Sequence, residues 1–111
     1  MDKLYYNPNQ EQKLNELLKV SNPKKVIENA HRYLGNNTRL NISTHKKKKY
    51  MVWDGNKFIH FGSFLPPMED YTFHNDNDRR NRYLARATKI KGNWRDNKYS
   101  PNNLSINLLW S

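Results

Sequence analysis

An Asp54-Gly55 pair stands between two short alternating runs, Tyr50-Met51-Val52-Trp53 and Phe58-Ile59-His60-Phe61. Glycine supplies the positive φ that a primed turn requires, so this is the strongest short-range signal for a β-hairpin. Four consecutive lysines, Lys46, Lys47, Lys48 and Lys49, lead directly into its first strand. Concentrated charge of one sign is costly within a folded domain, and an anionic partner is the natural reason for it. An exposed loop that merely discourages edge pairing is the plainer alternative.

The flanking segments suggest what covers the ribbon. Asn7-Pro8 with Leu14, Leu17 and Leu18 predicts a helix over about residues 8 to 20, and Asn22-Pro23 opens a second that Gly35 stops. Val26, Ile27, Ala30, Tyr33 and Leu34 hold the helical period of that second helix. Arg39 to Thr44 alternates Leu40 and Ile42 with polar residues, which suits a half-buried strand. With the hairpin it predicts a three-stranded antiparallel meander over residues 39 to 62, the lysine run lying in its first connection, where charge is solvated. Gly62, Ser63 and Pro66-Pro67 mark a surface crossover.

A third helix is expected from about residue 76 to 90. Asn75 or Asp76 would cap it, and Tyr83, Leu84, Ala87 and Ile90 would form its buried stripe before Gly92. Ser100-Pro101 opens a last short helix whose Leu104, Leu108, Leu109 and Trp110 pack inward. The expected fold class is therefore α+β, a single domain spanning residues 1 to 111. A small antiparallel three-stranded meander packs against helices from both ends of the chain, with residues 1 to 20 as a peripheral extension.

Length and composition narrow the function. At 111 residues the chain can bury a modest core but has little room for an elaborate catalytic cavity. It has no cysteine, which excludes disulfides, thiolate zinc sites and cysteine nucleophiles and favours a reducing compartment. No apolar run reaches the ~20 residues needed to span a bilayer, so no membrane partner is expected, and no signal peptide is recognisable. Lys and Arg number 20 against 10 Asp and Glu, a net charge of +10, and nucleic acid is the leading partner class for such a balance. The abundance of Asn, Lys, Tyr and Ile, all with A/T-rich codons, makes the clustering of charge more informative than its total.

Clustering is clearest on the third helix. At about 100° per residue, Arg79, Arg82, Arg86 and Lys89 fall within roughly a quarter-turn of one another. Lys91, Arg95 and Lys98 extend the charge past the helix end, with Trp94 and Tyr99 interleaved. Guanidiniums grip phosphates in bidentate fashion and aromatic rings stack on bases, so the pattern suits nucleic acid better than a membrane surface. Local ion pairs, Asp76 to Arg80 and Asp78 to Arg82 at i, i+4, are the structural alternative.

Other chemistry is weakly marked. His74, Asp76 and Asp78 could converge on a divalent ion, but helix capping explains both carboxylates, and no calcium loop or zinc pattern occurs. His74 could serve as a general base among phosphate-clamping arginines, as in a small nuclease. Neither a Gly-rich phosphate loop, a nucleophile elbow nor a dinucleotide fingerprint is present, so neither catalysis nor a cofactor is expected.

A wider pattern joins these pieces. It comprises Lys48-Lys49-Tyr50-Met51-Val52, Ile59-His60-Phe61-Gly62, Glu69-Asp70-Tyr71-Thr72, the run His74 to Tyr83, Ile90-Lys91-Gly92-Asn93-Trp94 and Tyr99 to Trp110. Together these segments resemble a family of small basic proteins encoded by giant, mimivirus-like DNA viruses. The resemblance covers roughly residues 39 to 111, with Lys24 to Gly35 also fitting, and the Phe64-Leu65-Pro66-Pro67-Met68 connection is longer than the pattern. It implies a setting, the viral factory in the host cytoplasm or the virion, and assigns no activity.

The expected function is sequence-independent binding of nucleic acid, DNA before RNA and duplex before single strand. Phosphate contacts would come from Lys46 to Lys49 and from the ridge of Arg79, Arg82, Arg86 and Lys89, continued by Lys91, Trp94, Arg95 and Lys98. The rival is a virion structural or interaction protein whose basic surface meets acidic viral proteins, as a monomer or a homo-oligomer.

Overall fold

The computed structural model describes residues 3–111. A four-stranded mixed sheet carries the fold, in the order β1 (Leu4–Tyr5), β2 (Leu40–Ile42), β3 (Lys48–Trp53) and β4 (Phe58–Ser63). The antiparallel meander is present as β2, β3 and β4, with Ile42 opposite Tyr50, Tyr50 opposite Phe61 and Trp53 opposite Phe58. The expected three-stranded antiparallel sheet is corrected by β1, which pairs parallel to β2, Leu4 opposite Leu40. Two residues offer no alternation to read, and the strand exists only because β2 presents an edge to it.

Asp54 closes the hairpin as the sequence suggested. Its backbone N–H donates to the Lys57 carbonyl at 3.0 Å, and its carboxylate accepts from the N–H groups of Asn56 and Lys57, each at 2.8 Å. Those two donors, Lys57 first, hold the Asp54 carboxyl below the usual carboxylate range. Gly55 takes a φ of +100°, the conformation for which glycine is needed.

Leu40, Ile42, Tyr50, Val52 and Phe61 form the core face of the sheet. Helix α2 (Pro23–Leu34) brings Val26, Ile27 and Ala30 onto it, capped by Asn22 and ended at Gly35, where φ is +117°. The C-terminal segment closes the same core. Helix α5 (Pro101–Leu104), which buries Leu104, runs into a π-helical turn, Ser105–Leu109, that buries Leu108 and Leu109. Asn29 on α2 is buried and donates its amide to the Leu108 carbonyl at 2.9 Å, tying α2 to the C-terminal turn.

The first helix is shorter than predicted: a 3-10 turn, Pro8–Gln10, precedes α1 (Glu11–Leu17). Leu17 and Val20 nevertheless belong to the core. After the crossover come α3 (Tyr71–His74) and α4 (Asn77–Ala87), the latter capped by Asp76, whose carboxylate accepts from the N–H groups of Asp78 and Arg79. Helix α4 ends at Ala87 and not at residue 90. Ile90, placed by its spacing in the buried stripe, is therefore exposed.

Candidate functional site

The lysine run does not behave as one unit. Lys46 and Lys47 are exposed in the turn between β2 and β3, but Lys48 and Lys49 are strand residues. Lys49 is 2% exposed and its ammonium lies 2.9 Å from the Asp70 carboxylate, itself 1% exposed. The expectation of a solvated loop lysine fails here because the strand continues inward and a carboxylate waits 21 residues downstream. Burial pushes the Lys49 ammonium below its ordinary pKa, and Asp70 opposes that shift.

Asp70 is the centre of a buried polar chain. Its second oxygen accepts from the backbone N–H of Thr72 at 3.0 Å and from the Thr72 hydroxyl. The Thr72 hydroxyl neighbours Ser21, whose hydroxyl accepts from Tyr50 at 2.7 Å. Burial raises the Tyr50 phenol far above its ordinary value. Paired and hydrogen-bonded throughout, these groups meet the condition on which buried charge is tolerated.

On the solvent side of Lys49 lies a cleft of about 470 Å³ between the Lys48 end of the ribbon, helix α4 and the C-terminal turn. Lys48, Arg79, Arg82 and Arg86 line it together with Glu69. Arg79 is held by Glu69 at 2.8 Å. Among the described residues, Lys48, Arg82 and Arg86 have no ion pair. The i, i+4 pairs foreseen on α4 do not form. Asp76 and Asp78 stand at the helix start, and Arg80 turns inward to donate to the Trp110 carbonyl at 2.7 Å, its guanidinium over the Tyr71 ring.

An aromatic stack backs the cleft. Tyr83 and Trp110 lie parallel, centroids 4.2 Å apart, and His74 tilts against the far side at 5.3 Å from Trp110. Burial raises the Tyr83 phenol, with Ser105 and Arg86 opposing. The sequence placed Trp110 in the core and left Tyr83 in a buried stripe; both prove to be half-buried and to line the cleft.

The remaining cations of the predicted surface lie apart from it. Lys89 and Lys91 are exposed beyond the end of α4, and Lys98 sits over the Tyr33 ring. Arg95 stacks on Trp94 at 4.2 Å and donates to the Thr88 carbonyl, so one face of Trp94 is occupied by the chain's own guanidinium. The continuous ridge thus resolves into a cleft fed by Lys48, Arg79, Arg82 and Arg86, and separate cations at Lys89, Lys91, Arg95 and Lys98.

The other end of the ribbon carries a feature the sequence did not flag. Trp53 and Phe58 pack edge to face at 5.1 Å and remain 53% and 42% exposed. Their strand register was legible, but alternation alone does not say which strand end projects into water. Among the described residues, no helix is long and apolar enough to cross a membrane, and no group of His, Asp and Glu is placed to hold a metal ion.

Residues 38–87 match the model of a family of unknown function, DUF5754. The matched segment contains the meander, Asp70, and the Arg79, Arg82 and Arg86 of α4. No curated protein and no solved structure matches the chain.

Proposed function

We propose that the protein binds nucleic acid without sequence preference by seating backbone phosphates in the cleft between β3 and α4. The observation that carries this reading is the convergence of Lys48, Arg82 and Arg86, none in an ion pair among the described residues, on a concavity whose one carboxylate, Glu69, is already taken by Arg79. Arginine forks match phosphate oxygens, and a lysine adds a point charge at the strand end. Lys46 and Lys47, exposed in the adjoining turn, contribute longer-range attraction. The viral factory or virion implied by the sequence resemblance would supply such a ligand in quantity.

A protein-interaction role is the second reading. It is favoured by Met68 and Ile90, 54% and 52% exposed on the wall of the same cleft. The two separate on Arg82→Ala/Arg86→Ala, titrated against labelled duplex DNA, single-stranded DNA and RNA at low salt. Phosphate seating requires weaker binding to each ligand that the wild type binds. Undiminished binding by a folded double variant refutes it.

A further inference from the structure

A concavity of about 580 Å³ opens where β3 and β4 end in their turn, at the opposite end of the ribbon from the cationic cleft. Trp53, Phe58 and Tyr99 supply aromatic surface to it, Tyr5 lines it with its ring covered by the chain's own cations, and Arg39 and Asn41 supply polar groups. Its walls come from separate parts of the chain, each fixed by its own bonds. Tyr33 donates to the Lys98 carbonyl at 3.0 Å and so holds the segment bearing Tyr99. His31 meets the Thr38 carbonyl at 3.1 Å beside Arg39. Both bonds tie their segments to α2.

Its chemistry is that of a planar, negatively charged ligand. Arg39, one of the lining residues, stands over the Tyr5 ring at 5.2 Å and presents positive charge to the aromatic pocket, and Lys3 approaches the same ring at 5.0 Å from outside the lining. An uncharged sugar would account for the rings and amides but not for this charge. A volume of that size admits one base with its sugar and not the width of a duplex. Along β3, Lys48 and Trp53 are separated by roughly 17 Å at the usual rise per strand residue, and their odd spacing turns the two side chains to opposite faces of the sheet, so the pocket is a site distinct from the cleft.

We propose that this pocket stacks an unpaired base, so that the protein prefers single-stranded nucleic acid to duplex; the inference rests on the phosphate-seating role of the cleft. Aromatic stacking is tolerant of base identity, in keeping with binding that lacks sequence preference.

The test is anisotropy titration of a labelled single strand and of the duplex of the same length against four proteins: wild type, Trp53→Ala/Phe58→Ala, Trp53→Phe and Arg82→Ala/Arg86→Ala. The wild type binds the single strand more tightly. Trp53→Ala/Phe58→Ala weakens that binding by roughly 5- to 150-fold, the worth of one stacked base, and leaves the duplex unchanged. Trp53→Phe keeps a ring and most of the affinity, which separates lost stacking from lost folding. Single-strand affinity that survives Trp53→Ala/Phe58→Ala but falls in Arg82→Ala/Arg86→Ala overturns the base pocket and leaves the phosphate cleft standing. No binding of either ligand by the wild type overturns both.

Discussion

Lys49 and Asp70 face each other at 2.9 Å with both side chains almost wholly removed from water. A lysine that belongs by sequence to a basic run thus belongs by structure to the core. Its partner also caps α3 and bonds Thr72, so one carboxylate ties β3, the crossover and the polar chain through Ser21 to Tyr50. Removing either member strands the other as an uncompensated buried charge. Lys49→Ala and Asp70→Ala should each destabilise the protein by about 3–5 kcal/mol, read from urea unfolding. Loss below about 1 kcal/mol in either variant, the range of exposed pairs, would show that the pair is open to water.

Binding studies on this chain must respect that pair. Alanine at all four positions from Lys46 to Lys49 would carry the cost of Lys49→Ala and confound lost stability with lost binding. Lys46→Ala/Lys47→Ala, confined to the exposed turn, should leave the melting temperature unchanged and weaken polyanion binding modestly. A substantial fall in melting temperature would contradict the assignment of those two lysines to solvent.

Glu69 offers a change of the opposite sign. It neutralises Arg79 at the rim of the cleft, both side chains being partly exposed. Glu69→Gln frees that guanidinium for a phosphate. Affinity for nucleic acid should rise several-fold at low salt, while stability moves by no more than about 1 kcal/mol, as for other exposed pairs. Weakened binding would mean that Glu69 supports the ligand and not merely Arg79.

Gly62 and Gly55 share a positive φ, +84° and +100°, but not their surroundings. A Cβ at Gly62 would sit 2.8 Å from Leu109 Cδ1 and 3.2 Å from Lys49 Cβ, whereas at Gly55 nothing lies within 4 Å. Gly55→Ala should cost about 1–2 kcal/mol of backbone strain. Gly62→Ala adds overpacking against the C-terminal turn, for a total of about 2–5 kcal/mol. Equal losses in thermal unfolding would contradict the close approach of Leu109.

Acid should weaken the fold through two histidines. Burial lowers His60, helped by His45, Lys13 and Lys48, and burial lowers His74, helped by Arg79, each from an ordinary 6.5. His74 Nδ1 accepts from the Asp76 N–H at 2.9 Å, a bond that protonation there would break. A group with a depressed folded-state value binds fewer protons when folded. Stability therefore rises with pH through the window below 6.5 and is lost as the pH falls through it. Urea midpoints should drop between about pH 7.5 and about pH 5.5, and drop less in His60→Gln/His74→Asn. A wild-type midpoint that rises on acidification would reverse the sign of both shifts.

Local chemistry made much of this fold legible. Asp54-Gly55 marked the hairpin, Asn22-Pro23 and Gly35 marked the ends of α2, and Asn75 or Asp76 marked the start of α4, with Asp76 proving to be the cap, because each acts on its immediate neighbours. What escaped depends on residues far apart in sequence. β1 needs the edge of β2, Lys49 needs Asp70, and the cleft joins Lys48 to Arg82 and Arg86 only after β3 and α4 are assembled. Period placed Arg79, Arg82 and Arg86 of α4 together, as the cleft lining has them, but carried Lys89 with them although the helix ends at Ala87. Their division between a pair with Glu69 and two guanidiniums without an ion pair among the described residues could not be read from the helix alone.

The most direct measurement is the salt dependence of nucleic-acid affinity for the wild type and for Lys48→Ala/Arg82→Ala/Arg86→Ala. Each phosphate contact contributes about 0.7 to the slope of log affinity against log salt on a single strand and about 0.9 on duplex. If these three side chains seat phosphates, the triple variant loses about 2 units of slope on a single strand together with affinity at low salt. A variant that stays folded and keeps the wild-type slope would contradict the cleft as the binding site.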